Sequence, residues 1–235
     1  MSSNVSIALI LGAGPNIGAS VAEEFASKGY KVVLTSRKIA ENANPSFSHI
    51  KGDLSQPNSV VDVFTQVRKL YGEPGVVVYN AGAVSFAPKE NTFDLDLGTF
   101  ESDLNINTTS VFVAIKEALA SFSTLPTSAS RTFIYTGNAM NFASFDGLLT
   151  LGVGKSATAH MIASAAAAFA DKGYKFYYAD ERRTSGKLCG KDISGAAHAE
   201  LYGQLSEDRK QRPWLQTFVR GQGYVDFPAD TVVTF

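Results

Sequence analysis

The chain has 235 residues, of which 45% are hydrophobic and 18% charged, and its formal net charge is −1. That length fits one domain and that composition supports a sizeable buried core, and the lack of any block of like charge excludes an electrostatic case for nucleic acid or an anionic membrane as partner. No apolar run approaches the roughly 18 residues of a membrane span, and the one cysteine, Cys189, excludes an intrachain disulfide and suits a reducing compartment.

The opening "MSSNVSIALILGAG" lacks the basic segment of a secretory signal, so "VSIALIL" is expected to be a first strand of a cytoplasmic protein. It is followed by "NIGASVAEEFASKG", where Ile17, Val21 and Phe25 fall at helical spacing and Gly29 closes the helix. "KVVLTSR" and "FSHIKGD" read as the second and third strands, "SVVDVFTQVRKLYG" as a helix, and "GVVVYNAG" as a fourth strand buried on both faces. "TFESDLNINTTSVFVAIKEALASF" reads as one long helix, "RTFIYTG" as a fifth strand, and "GLLTLGVGKSATAH" as the start of another long helix. "YKFYYAD" and "WLQTFV" supply two more strands, with "GAAHAELYGQL" as a helix between them. This alternation predicts one α/β domain over residues 1–235, a doubly wound parallel sheet of about seven strands with helices on both faces. The polar, glycine-punctuated segment after the sixth strand, residues 181–195, is expected to be a loop over the functional cleft.

Between the first strand and first helix, "LILGAGPNIGASVAEEF" places Gly12, Gly14 and Gly18. Glycine there permits a tight turn and close approach to a pyrophosphate, whose charge is met by the helix N-terminus. The spacing resembles the T-G-x-x-x-G-x-G loop of the short-chain dehydrogenase/reductase family, with Gly12 and Gly18 matching and Asn16 in place of the middle glycine. Asp53 in "KGDLS" matches the family's adenine-contacting acid, and "YNAG" matches its N-N-A-G motif apart from the first Asn. Asn107 falls on the asparagine of its catalytic tetrad, and "GQGYVDF" is similar to its terminal motif. The resemblance implies a Rossmann fold and a nicotinamide dinucleotide held by Gly12, Gly14, Asn16, Ile17, Gly18, Asp53, Leu54, Asn80, Ala81, Gly82 and Lys155. The second strand ends in Ser36 and Arg37, with no carboxylate for a ribose 2′-hydroxyl. A hydroxyl and a guanidinium suit a 2′-phosphate, so NADP(H) is expected rather than NAD(H). No metal site is expected.

The family's proton donor is a tyrosine four residues before a lysine, and a serine orients the substrate oxygen. Here Leu151 stands four residues before Lys155, none of the nine tyrosines precedes a lysine at that spacing, and Gly137 or Asn138 takes the serine's place. Leucine exchanges no proton. Lys155 retains the second task that the resemblance gives it, holding the ribose, with Asn107 beside it. Asn138, Tyr178, Asp180 and Glu181 are the candidates to surround a substrate, the last three because the family has Pro-Gly at that strand end, beside the nicotinamide. A desolvated carboxyl there would serve as an acid; the alternative is that Asp180, Glu181, Arg182 and Arg183 form ion pairs ordering the loop. Tyr135 is expected in the core, and His160 off the site face of its helix.

The resemblance thus implies hydride transfer to a small carbonyl, imine or activated alkene, as in altered family members of fungal alkaloid pathways. The alternatives are an inactive NADP(H)-binding pseudoenzyme or a non-redox cyclase or isomerase. A homodimer or homotetramer is expected by the same resemblance, through the long helices; "SATAHMIASAAAAFA" is rich in small residues that suit such packing or packing on the sheet.

Overall fold

The computed structural model describes residues 5–38 and 44–228. Near-continuous apolar runs make the central strands, because a strand covered on both faces can expose nothing polar. All five residues of β1 (Ile7–Leu11) and all four of β4 (Val76–Tyr79) are buried. The others are β2 (Lys31–Ser36), β3 (Ser48–Lys51), β5 (Thr132–Thr136), β6 (Lys175–Arg182), β7 (Leu215–Val219) and β8 (Gly223–Tyr224). They pair in the order β3-β2-β1-β4-β5-β6-β7-β8, parallel throughout except for the antiparallel β7–β8 pair.

The helices are α1 (Ile17–Ser27), α2 (Pro57–Leu70), α3 (Leu97–Leu104), α4 (Ser110–Thr124), α5 (Leu149–Phe169) and α6 (Gly195–Glu207). On one face of the sheet Leu9, Leu11, Tyr79, Tyr135 and Phe176 pack with Phe64, Phe122 and Ile162 of α2, α4 and α5. On the other, Ile10, Ile134, Tyr177 and Phe218 pack with Phe25 of α1 and Tyr202 of α6. Truncating a buried aromatic such as Phe25 or Phe64 to alanine would cost about 3–5 kcal/mol. No helix among the described residues is long and apolar enough to cross a membrane.

Three features depart from the sequence expectation. An eighth strand follows the seventh, because Gly221 and Gly223, both at φ 74°, turn the chain back antiparallel. The long helix through Asn107 is divided into α3, a π turn at Asn105–Thr109, and α4. β6 continues two residues beyond "YKFYYAD", so Asp180 and Glu181 lie inside the sheet, paired with Thr217 and Phe218. The loop therefore begins at Arg183, and it folds back through an Arg182–Leu188 bridge and a short 3-10 turn at Gly190–Asp192.

Candidate functional site

Strand order reverses at β1, so the crossovers to β2 and β4 leave on opposite sides and open a crevice at the carboxyl ends of the strands. A cavity of about 620 Å³ lies there, lined by Gly12, Gly14, Ser36, Arg37, Asp53, Leu54, Asn80, Ala81 and Gly82. Gly12 sits at φ 96°, and a Cβ on it would stand 2.5 Å from the Ala81 nitrogen, so only glycine fits. A Cβ on Gly14 would meet nothing within 4 Å, which leaves the backbone there open to a ligand. The Asn80 amide donates to the Gly12 carbonyl at 2.8 Å and fixes the ends of β1 and β4 together. Asp53 accepts from the Ser55 N–H at 3.0 Å and its hydroxyl at 2.9 Å, and these bonds, with Arg37 adding a smaller effect, hold its carboxyl below the usual range. Ser36 donates its hydroxyl to the Lys38 carbonyl at 2.6 Å, while Arg37 is exposed.

Other expected nucleotide residues lie outside this lining. Gly18 lies in the first turn of α1, where a Cβ would stand 2.9 Å from Ala13, and Ile17 packs into the α1 face of the core. Asn16 points across to the far loop, accepting from the Gly195 N–H at 2.9 Å and donating to the Ile193 carbonyl at 3.0 Å. Sequence reasoning missed Thr35, whose buried hydroxyl on the cavity wall has no partner among the described residues, and Asp103, which accepts from Thr150 at 2.7 Å. Neither belongs to a motif; only the fold brings them to the crevice.

Beside the cavity lies a buried polar cluster. Lys155 is 5% exposed and donates to the Tyr135 hydroxyl at 3.0 Å and the Thr136 carbonyl at 2.8 Å. Burial lowers its pKa to about 7, against a partial opposing effect of Asp180. Asp180 is fully buried; one carboxylate oxygen accepts from Arg182 at 2.7 Å and the other has no partner among the described residues. Burial raises its pKa, with Arg182 and Lys155 opposing. Arg182 also donates to the Gly186 carbonyl at 2.8 Å and lies 5.5 Å from the centre of the Phe142 ring.

Tyr178 donates to the Asn138 carbonyl at 2.7 Å and accepts from the Asn138 N–H at 3.2 Å, while the Asn138 side chain caps the following turn at Met140. A Cβ on Gly137 would lie 2.0 Å from the Tyr178 ring, so this glycine and this tyrosine require each other. Asn107 is fully buried and holds both backbone groups of Ala83, at 2.9 and 2.8 Å, while its own carbonyl accepts from Thr158 at 2.6 Å.

The structure thus brings Lys155, Asn138, Tyr178 and Asp180 together with Tyr135 and Arg182, which sequence reasoning assigned to the core and to a loop. Glu181 is not among them. Successive strand residues face opposite sides, so it turns toward α6, accepting from the Ser194 N–H at 2.7 Å and lying 3.5 Å from His198. Burial raises its pKa, opposed by the Ser194 N–H and by Arg220. Both candidate carboxylates are therefore buried and engaged, Asp180 in an ion pair with Arg182 and Glu181 as an anchor of the loop.

A doubly wound sheet with a glycine-turned crevice at its switch point defines a Rossmann-type α/β protein. Residues 6–177 match the short chain dehydrogenase family, and the chain belongs to it. It is 65% identical over 239 residues to the short chain dehydrogenase/reductase dmxR12 of Cryptosporiopsis sp., covering 97% of both chains. It is 30% identical over 122 residues to the trihydroxynaphthalene reductase PfmaI of Pestalotiopsis fici, covering 48% of this chain and 42% of that one. A metagenomic short-chain oxidoreductase crystallised with NADP shares the fold at a TM-score of 0.78 and 17% identity, over 93% of this chain and 99% of that one.

Proposed function

We propose that the chain is an NADP(H)-dependent oxidoreductase with a reaction centre unlike the family's usual one. The observation that carries this reading is the open crevice over Gly14 with Arg37 at its rim. There Gly12, Gly14 and Gly18 would let the pyrophosphate approach the start of α1, with Asn16 and Ile17 shaping the turn. Ser36 and Arg37 would hold a 2′-phosphate, Asp53 and Leu54 the adenine, and Asn80, Ala81 and Gly82 the middle of the dinucleotide. Lys155 would reach its second ribose. When bound, the nicotinamide supplies or accepts a hydride.

The protein's own part is positioning and proton exchange. On the family's pattern Leu151 would stand where the tyrosine does, and Gly137 or Asn138 where the serine does, and none of these delivers a proton at neutral pH. Lys155 Nζ, near pKa 7, is the group of the cluster that gains and loses a proton there, with Asp180 balancing its charge and Tyr178 fixing the Asn138 backbone. Such a centre suits a substrate that is already electrophilic: a carbonyl, an imine or an activated alkene. The relative named as a trihydroxynaphthalene reductase supports a more specific class, the keto form of a polyhydroxylated fused aromatic. A homodimer or homotetramer fits the exposed Phe112 of α4 and Val153 of α5, which are 58% and 38% exposed.

A second reading, an NADP(H)-binding protein without turnover, is favoured by one observation. Both backbone groups of Asn138, the side chain of Asn107 and two donors of Lys155 are all engaged within the protein. Oxidation of NADPH, followed by absorbance over panels of polyphenols, imines and enones, separates the two. The first reading expects turnover that falls at least a hundredfold in Lys155→Met; saturable NADPH binding with no oxidation on any panel member establishes the second.

A further inference from the structure

We propose that a second cavity, at the opposite edge of the sheet from the nucleotide crevice, is a binding site for a phosphate dianion, free or as the ester of a small metabolite. The cavity measures about 670 Å³ and opens where β1, β2, β5 and β6 begin, between Ser6, Tyr30, Arg131, Lys175 and the end of α6. Its volume falls in the range of small-molecule sites.

The charges around it are unbalanced. Lys175 is 3% exposed, and its ammonium donates only to backbone carbonyls, those of Ser206 at 3.0 Å and of Asp208. Arg131 lies against the Tyr174 ring at 5.0 Å, and its buried Nε has no hydrogen-bond partner among the described residues. Among the described residues neither Arg131 nor Arg209, also on the wall, pairs with a carboxylate. The two acids that line the cavity are already neutralised: Glu207 by Lys28 at 2.6 Å, and Asp208 by Arg212 at 2.6 Å. Arg131 and Arg209 therefore face one space without a paired carboxylate, and the buried Lys175 ammonium on the same wall has only Asp208, already paired with Arg212, to favour its charge, beside the hydroxyls of Thr127, Ser128 and Ser130.

A buried donor without an acceptor is costly, and a buried ammonium without an anion more so. Burial, opposed by Asp208 and aided to a smaller extent by Arg131 and Arg212, lowers the Lys175 pKa to about 8. A phosphate dianion in the cavity supplies the missing negative charge: its oxygens accept from the arginine guanidinium groups and the free Lys175 proton, and its charge offsets the arginines.

The test is calorimetric titration of the whole protein with inorganic phosphate and, separately, with glycerol 3-phosphate. Saturable binding of either titrant at millimolar concentration or below, weakened at least fivefold in Arg131→Gln and in Arg209→Gln, supports the site. The tighter of the two titrants identifies its source. Because phosphate could also enter the nucleotide crevice, Arg37→Ala is the control, and binding must persist in it. No saturation up to 50 mM (about 2 kcal/mol of binding free energy), binding unchanged in both arginine variants, or binding lost in Arg37→Ala would overturn the proposal. No outcome in which binding persists in Arg37→Ala bears on whether the crevice holds NADP(H).

Discussion

Lys155 carries its amine into a wall of β5, within 4.4 Å of the centre of the Tyr135 ring, and the consequence is a linkage between pH and stability. Its folded pKa of about 7 lies below the ordinary 10.5, so between those values the unfolded chain binds more protons and stability rises with pH. Lys155→Met removes that burden. Its stability relative to the parent, from urea melts of the unliganded proteins, should therefore be more favourable at pH 6.5 than at pH 9.5; an unchanged difference would exclude the buried-ammonium account. Gly137 makes a second residue-level case. Gly137→Ala should destabilise by about 1–3 kcal/mol through collision with Tyr178, and Tyr178→Leu in the same chain should recover much of that, measured as a double-mutant cycle in urea. The glycine is legible in the sequence, but the reason for it is not: the contact joins residues 41 positions apart, which only the fold brings together.

At the scale of elements, the glycine turn, the strand alternation and the "YNAG" crossing were legible because each is a local pattern with a local cause. The length of β6 was not. "ADERR" carries charge into a buried strand, which local propensity argues against, and it is stable only because Asp180 pairs with Arg182 and Glu181 with the start of α6. The same segment exposes a tie between two distant elements. Asn16, in the position of a family glycine, fastens the start of α1 to Ile193 and Gly195. Asn16→Ala removes two hydrogen bonds, worth about 1–3 kcal/mol together. Hydrogen exchange at 193–197 should accelerate at least fivefold while β4 remains protected; uniform acceleration would mean global rather than local loosening.

Across the whole molecule, the sheet separates two kinds of charge environment. Its carboxyl edge holds the crevice and the buried Lys155–Asp180–Arg182 cluster, and its amino edge holds the cavity ringed by Arg131, Lys175 and Arg209. On the flank, exposed Phe112 and Val153 supply an apolar surface on the two long helices. If that surface joins subunits, light scattering should give a dimer or tetramer, and Phe112→Glu should shift it to monomer; a monomeric parent would remove this part of the account. The composition made a sizeable core legible, but not these exposed apolar positions, which become evident on a helix only once its buried face is known.

The central claim is that the crevice at the switch point binds NADP(H) through Arg37. Calorimetric titration of the protein with NADPH and NADH, repeated in Arg37→Ala, tests it most directly. The account expects saturable NADPH binding, at least tenfold tighter than NADH, with that preference lost when the guanidinium is removed. No binding at millimolar NADPH, or an NADPH preference unchanged in Arg37→Ala, would contradict it.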